Sequence, residues 1–219
     1  MRKIPIRRTD TEKVQVGDPY DGIKRYYDQN MEMTVIKLMT GDCYWTAEPR
    51  EMIVTILGSC ISVCMWDDEK NIGGMNHILL PGEVQIAALN NKNVLEYPSR
   101  YGAYAMEELI NGILKLGGNK SNLKAKVFGG GNVINNSAMI GDKNIAFARS
   151  YLNQENIPLI SEDVGGNTAR RLHFFPETGK AMIRKLRRKE DLVIVEKEKE
   201  YQKTLVEDKE QEKTDVELF

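Results

Sequence analysis

The sequence predicts a single-domain α+β fold in which strands outnumber helices and pack with them in layers. Three observations favour this fold class. The chain has 219 residues, which suits one well-packed domain with tails better than two domains. Its middle contains many short apolar and β-branched runs, and only two segments have the period of an amphipathic helix. Alternating strand and helix units are too few for a doubly wound sheet.

The two ends of the chain are polar and the middle is apolar. Residues 1–24 form a predicted polar N-terminal extension, residues 25–195 the folded domain, and residues 196–219 a charged tail. The tail carries nine acidic and five basic residues among twenty-four, so we expect a solvated helix or a disordered segment.

Most of the short runs have the length and composition of strands. In chain order they are Thr34 to Met39, Met52 to Leu57, Ile61 to Trp66, Val127-Phe128, Leu159-Ile160, Leu172 to Phe175, Ala181 to Leu186 and Leu192 to Val195. The sequence Pro176-Glu177-Thr178-Gly179 lies between two of these runs and predicts a hairpin turn.

Two segments predict helices that cover a sheet. The first has an apolar stripe at helical spacing, with Ser99 near its start and Gly117-Gly118 at its end. The stripe consists of Met106, Leu109, Ile110, Ile113 and Leu114.

The second predicted helix extends from about Asp142 to Gln154. It places Ile145, Ala148 and Leu152 on one face, with Asp142 as a possible N-cap.

Composition limits the functional classes. The formal net charge is −1, so no overall field favours nucleic acid or an anionic membrane. The sequence begins with a charged segment that does not resemble a signal peptide, and no run approaches the length of a membrane span. Three cysteines, an odd number, favour reduced thiols. We therefore expect a cytoplasmic protein.

Cys60 and His77 are the first candidates for chemistry. A thiol becomes a nucleophile when a histidine accepts its proton or lies beside the thiolate as imidazolium. Gly58-Ser59, just before Cys60, allows a tight turn whose backbone N–H groups converge on one point, as an oxyanion requires. The alternative is a buried structural cysteine and an unrelated loop histidine.

Other patterns favour structural roles. Cys60, Cys64, His77 and His173 lack the spacing of a zinc site, so we expect no metal. Cys64 lies four residues after Cys60 and on a strand would share its face, so we expect Cys64 to pack in the core.

Two glycine-rich segments predict turns. The sequence Gly129-Gly130-Gly131-Asn132 follows a strand but lacks a nucleotide-binding pattern, so it predicts a permissive turn near a site. Glu162 to Asn167 also predicts a turn, because two adjacent carboxylates on a strand would point to opposite faces. The basic run Arg184 to Lys189 predicts a solvated surface.

Several motifs in order resemble one family. They are LGSC, GGMNH and ILLP within Thr55 to Pro81, KVFGGGN at Lys126 to Asn132, IGDKN at Ile140 to Asn144, SEDVGGNTAR at Ser161 to Arg170, and ETGK at Glu177 to Lys180. Together they resemble the CheD family of chemoreceptor glutamine deamidases, from about Arg25 to Val195.

The resemblance implies roles and a fold. Cys60 would be the nucleophile, His77 the general base and acid, and Thr55 the nearest match to a family threonine that precedes the nucleophile. The implied fold is a layered α/β/β sandwich related to the catalytic domain of the cytotoxic necrotizing factor toxins. No cofactor is implied.

The resemblance also implies a substrate and partners. The substrate would be glutamine side chains on the cytoplasmic helices of methyl-accepting chemotaxis receptors, hydrolysed to glutamate through a Cys60 thioester. A second possibility is a regulatory module that binds the CheC phosphatase and so affects phosphorylated CheY. A third is a cysteine peptidase or transglutaminase-like acyl transferase. We expect Gly130 and Asn132 to line the surface that meets substrate or partner.

Overall fold

The computed structural model describes residues 22–80, 97–133 and 138–186, which form ten strands and two α-helices. The strands are β1 (Lys24–Asp28), β2 (Met33–Lys37), β3 (Cys43–Thr46), β4 (Glu51–Leu57), β5 (Ile61–Asp67), β6 (Ile72–Asn76), β7 (Lys124–Gly129), β8 (Leu159–Val164), β9 (Arg170–Phe175) and β10 (Lys180–Lys185). The helices are α1 (Tyr97–Lys115) and α2 (Ala138–Gln154), with a short 3₁₀ turn at Lys120–Asn122.

The strands form two five-stranded mixed sheets. In the outer sheet the order is β1-β2-β4-β9-β10, and only the β2–β4 pair is parallel. In the central sheet the order is β3-β6-β5-β7-β8, and only the β7–β8 pair is parallel. Because β4 and β5 belong to different sheets, the chain crosses from one sheet to the other between Leu57 and Ile61.

Two apolar cores hold three layers together. One core joins the helices to the central sheet, and its members include Met106, Leu109, Ile113, Ala148, Leu152, Val63, Met65 and Val127. The other core lies between the two sheets, and its members include Ile36, Ile53, Leu172, Phe174, Cys64, Met75 and Phe128. The layers are therefore helices, central sheet and outer sheet, which confirms the α+β fold as an α/β/β sandwich.

Helix α1 buries the predicted stripe and ends at the predicted glycines. Gly117 has φ of +100°, and the Gly118 N–H donates to the Ile113 carbonyl at 3.1 Å, as in a glycine C-cap. The helix begins at Tyr97, so Ser99 lies inside its first turn and not before it.

Helix α2 buries the predicted face but starts earlier than predicted. Ile145, Ala148 and Leu152 all lie in the helix-side core. The helix begins at Ala138, so the assignment of Asp142 as its N-cap is wrong. Gly141 weakens the helical pattern there, and it is needed because a Cβ at this position would lie 2.6 Å from the Gly130 carbonyl oxygen.

Seven of the predicted strands are present, and the hairpin at Pro176 to Gly179 joins β9 to β10 as predicted. The eighth, Leu192 to Val195, lies outside the described residues. Strand β8 includes Glu162 and Asp163, so the turn predicted from Glu162 begins only after Val164.

Three further strands, β1, β3 and β6, were not predicted. Strand β1 is a polar, mostly exposed edge strand, and its Tyr26 and Tyr27 side chains are exposed. Strand β6 contains Gly73-Gly74, which suggests a turn from sequence. Glycine is required there because a Cβ on Gly74 would lie 2.5 Å from the Tyr44 carbonyl oxygen on β3.

Candidate active site

The candidate nucleophile lies where the chain passes between the sheets. Gly58, Ser59 and Cys60 connect β4 of the outer sheet to β5 of the central sheet. Cys60 is completely buried and belongs to the core between the sheets.

His77 is brought to the same place by the pairing of β5 and β6. Ile61, next to Cys60, and Ile78, next to His77, exchange two backbone hydrogen bonds of 2.8 Å each. In this antiparallel register Cys60 and His77 lie on one face, diagonal to each other. The two residues that the sequence singles out therefore meet through strand pairing.

Thr55 determines which nitrogen of His77 carries the proton. The Thr55 hydroxyl donates to the Leu38 carbonyl at 2.9 Å, and its oxygen lies 2.8 Å from Nδ1 of His77. A hydroxyl has one hydrogen, so Thr55 must accept from His77 Nδ1–H. In the neutral imidazole Nε2 is then the basic nitrogen.

The Thr40 hydroxyl is close to both that basic nitrogen and the thiol. Its Oγ1 is 3.4 Å from Nε2 of His77 and 3.9 Å from Sγ of Cys60. The loop that carries Thr40 is fixed to the His77 backbone, because Gly41 N–H donates to the His77 carbonyl and His77 N–H donates to the Asp42 carbonyl. A small hydroxyl thus contacts both candidate reacting atoms.

Burial keeps His77 neutral. The side chain is almost completely buried, and loss of solvation lowers the pKa of the imidazole to about 3. At neutral pH, Nε2 is therefore unprotonated and presents its lone pair. Of the two forms that the sequence left open, the structure favours a neutral imidazole over a resting imidazolium.

The turn before Cys60 is held by the Gly129-Gly130-Gly131-Asn132 segment. Gly130 N–H donates to the Cys60 carbonyl and Gly131 N–H to the Gly58 carbonyl, each at 2.7 Å. Gly129 and Gly130 have φ of +113° and +64°, which explains the need for glycine. The segment is a turn beside the candidate site. Gly130 itself is buried, and the surface role predicted for Gly130 and Asn132 stays a prediction.

Asn144 of helix α2 adds a second support. Its Nδ2 donates to the Ser59 carbonyl at 2.8 Å, and its Oδ1 accepts from the Leu80 N–H at 3.0 Å. Neither Asn144 nor Thr40 was identified as a site residue from the sequence. Asn144 ends the IGDKN motif, which was a usable signal, whereas Thr40 had none.

The remaining cysteines are structural. Cys64 lies in the core between the sheets and Cys43 in the helix-side core. Burial raises the pKa of each thiol well above its usual value, so both remain protonated. Within the described ranges, no three His, Cys, Asp or Glu side chains are grouped as a metal site requires.

The two carboxylates of β8 bind different arginines. Glu162 accepts from Arg149 Nε at 3.0 Å on the helix side, and Asp163 accepts from the buried Arg170. Arg170 also donates to the Asp163 and Gly165 carbonyls, which holds the turn after β8. The two carboxylates thus serve in separate ion pairs.

Comparison with known proteins identifies the family. A model of the family described as "CheD chemotactic sensory transduction" matches residues 79–185. A protein of Thiobacillus denitrificans, named "Probable chemoreceptor glutamine deamidase CheD", is 42% identical over 178 residues, covering 80% of this chain and 86% of the relative. A protein of Shewanella oneidensis, named "Probable chemoreceptor glutamine deamidase CheD 1", is 44% identical over 179 residues, which cover 81% of this chain and 84% of the relative.

A relative from Saccharophagus degradans extends the match, with 38% identity over 202 residues and 91% of each chain covered. Among solved structures, the hypothetical protein YfiH of Bacillus licheniformis has a TM-score of 0.35 and 15% identity, over 68% of this chain and 66% of that chain, and adds nothing to the assignment. No described helix is long and apolar enough to cross a membrane. On the identity and coverage of its relatives, this chain belongs to the CheD family.

Proposed function

We propose that this protein deamidates glutamine side chains of chemoreceptors, producing glutamate and ammonia. The names of its relatives support the substrate class. The observation that carries the proposal is the chain of contacts from Thr55 through His77 and Thr40 to Cys60. A basic nitrogen with a defined tautomer beside a thiol is what nucleophilic amide cleavage requires.

In the first half of the reaction the thiol becomes an acyl carrier. Nε2 of His77 takes the Cys60 proton as Sγ attacks the carboxamide carbon, which forms the C–S bond and places negative charge on the amide oxygen. The intermediate then collapses. The C–N bond breaks, the imidazolium returns its proton to the leaving nitrogen, and ammonia departs from a thioester.

In the second half water replaces ammonia. Nε2 removes a proton from water as its oxygen attacks the thioester carbon, the C–S bond breaks, and the imidazolium returns that proton to sulfur. The glutamic acid product then gives its own proton to ammonia or solvent, which leaves the glutamate carboxylate. Thr55 keeps Nδ1 protonated throughout, so Nε2 serves as base and acid in turn. Thr55 is thus a positioning residue.

The oxyanion of both intermediates needs donors. We assign this role to backbone N–H groups of the Gly58 to Cys60 turn, because the Gly58 and Ser59 carbonyls, which share peptide units with the Ser59 and Cys60 N–H groups, each accept a hydrogen bond from elsewhere in the protein. Fixed carbonyls fix the orientation of the amides in the same peptide units.

The substrate carboxamide also presents N–H groups that need an acceptor. Asn132 follows the glycine turn that supports Cys60, and its Oδ1 is buried without a hydrogen-bond partner in the described structure. This supports a substrate contact at Asn132.

The physiological substrate would be a glutamine on the cytoplasmic helices of a receptor, which places the protein in the cytoplasm. The new carboxylate adds a negative charge and can be esterified by a methyltransferase. A binding role toward a CheC-type phosphatase requires neither the thiol nor the imidazole, so catalysis and binding can be separated by mutation.

The test uses the full chain with a receptor cytoplasmic fragment and peptide mass spectrometry. Conversion of glutamine to glutamate adds about one dalton, and in ¹⁸O-labelled water the product gains about two more, because hydrolysis of the thioester takes its oxygen from solvent. Hydroxylamine should intercept the thioester as a hydroxamate.

Cys60→Ala should abolish the mass gain, and Cys64→Ala is the matched control, since both thiols are fully buried in the same core. Normal deamidation by the Cys60 variant, or an inactive Cys64 variant that remains folded, would contradict the assignment. Retained binding of a CheC-type partner by Cys60→Ala would show that binding is separate from catalysis.

A further inference from the structure

We propose that Asn144 is a positioning residue that holds the nucleophile turn against the segment following His77. This inference rests on the proposed deamidase function and adds a residue to it. Asn144 is fully buried, and it lies on α2, far in sequence from both groups that it joins.

The two contacts of Asn144 join the two halves of the site. Its Nδ2 donates to the carbonyl of Ser59, the residue before Cys60. Its Oδ1 accepts from the N–H of Leu80, three residues after His77. One side chain therefore links the segments that carry the nucleophile and the base.

The contact with Ser59 also bears on the oxyanion donor. The Ser59 carbonyl and the Cys60 N–H belong to one planar trans peptide unit and point in opposite directions. Because Asn144 holds the carbonyl toward α2, it directs the Cys60 N–H away from α2. Loss of this contact would let the peptide rotate, which would misdirect an oxyanion donor while leaving the thiol and imidazole in place.

The position requires a side chain that can both donate and accept a hydrogen bond. A carbonyl needs a donor and an N–H needs an acceptor, and asparagine supplies both within one planar group. Aspartate as the carboxylate can accept from Leu80 but has no hydrogen for Ser59. Protonated aspartic acid can do both, which makes the aspartate variant a pH-controlled test of this hydrogen bond.

The experiment compares steady-state deamidation of a receptor fragment by the parent protein, Asn144→Asp and Asn144→Ser. Asn153→Asp is the control, because Asn153 is an exposed residue of the same helix. At about pH 8 we expect kcat of Asn144→Asp to fall about 10- to 100-fold with KM within about twofold, since a contact that aids only the transition state is lost.

Acidification should restore the aspartate variant. Toward about pH 5.5, its kcat relative to the parent should rise several-fold, because burial raises a carboxyl pKa and the protonated acid can donate to Ser59. Dividing by the parent rate removes the pH dependence that both proteins share, including any contribution from the charged or titratable groups nearby, which are Cys60, His77, Asp42, Asp142 and Lys143. Asn144→Ser should be slow at every pH, and Asn153→Asp should match the parent.

Circular dichroism at the assay temperature establishes the folded fraction, and kcat is taken per folded molecule. If Asn144→Asp does not fold, Asn144→Ser decides the matter, because the proposal requires its kcat to fall. Folded Asn144 variants with the parental kcat, or a change confined to KM, would overturn the role of Asn144. A constant relative kcat for a folded Asn144→Asp across this pH range would do the same. If the parent and Asn153→Asp also leave receptor glutamine unchanged, both the deamidase proposal and this inference fail.

Discussion

The imidazole of His77 is bounded by two threonine hydroxyls, one at each ring nitrogen. Thr55 accepts from Nδ1 and Thr40 lies against Nε2. Both neighbours are ordinary threonine hydroxyls, but their hydrogen bonds affect the imidazole in different ways. Because the Thr55 hydrogen is committed to the Leu38 carbonyl, the tautomer of His77 follows from a hydrogen bond that His77 does not itself make.

Thr55→Val should therefore slow deamidation about 10- to 100-fold, because Nδ1–H loses its acceptor and the imidazole its defined tautomer. Thr55→Ser, which restores the hydroxyl, should recover most of the rate. Thr46→Val is a control, since Thr46 is also a buried strand threonine but its hydroxyl accepts from the nearby Glu48 N–H. The rate and the ¹⁵N shifts of the His77 ring are measured, and a valine variant at position 55 with parental values for both would refute this role.

At the scale of elements, three connecting segments meet around the candidate nucleophile, Cys60. The turn between β4 and β5 carries Cys60, the loop between β2 and β3 carries Thr40, and the glycine segment after β7 binds the Gly58 and Cys60 carbonyls. Helix α2 packs on that glycine segment, because a Cβ on Gly130 would lie 2.5 Å from Cγ1 of Ile145. The geometry of the turn thus depends on helix packing.

Comparing Gly130→Ala with Gly165→Ala distinguishes the loss of stability caused by overpacking from the loss caused by the left-handed backbone conformation. Both glycines have positive φ, but a Cβ at Gly165 would meet nothing within 4 Å. We expect Gly165→Ala to reduce the free energy of unfolding by about 1 kcal/mol, and Gly130→Ala by about 3 kcal/mol because overpacking is added to the left-handed conformation. Chemical denaturation measures both, and equal losses in the two variants would argue against the packing contact.

The site is enclosed between two sheets, and this affects the stability of the whole molecule. Burial holds the pKa of His77 at about 3, whereas an unfolded histidine titrates near 6.5. Since protonation then favours the unfolded chain, stability is lost as pH falls below about 6.5 toward 3. His173 contributes in the same direction because its pKa is also lowered, and Asp42, whose pKa is raised by burial, acts in the opposite direction.

Comparison with His77→Gln isolates this effect. Between about pH 7 and pH 5, the parent should lose about 2 kcal/mol more of its free energy of unfolding than the variant does, because only the parent has this buried imidazole. Urea denaturation at several pH values provides the measurement. Parallel pH profiles for the two proteins would mean that His77 is solvated or charged in the folded state.

Much of the fold could be predicted from local periodicity in the sequence. The stripes of α1 and α2 and the apolar runs of β2, β4, β5 and β9 were readable because burial repeats along one segment at the period of its own structure. The polar edge strand β1 and the glycine-containing β6 were not readable, since pairing with neighbours decides them and their composition indicates a loop or a turn.

The residue types that the proposed chemistry requires were evident from the amino-acid sequence alone, and the motifs and the family resemblance singled out Cys60, His77 and Thr55. Packing in three dimensions was needed to define the tautomer of His77, the contact of Thr40 with both candidate reacting atoms, and the link that Asn144 makes from Ser59 to Leu80. The physical reason is distance along the chain. These hydrogen bonds join residues from 17 to 85 positions apart, and only the packing of two sheets and a helix brings such groups together.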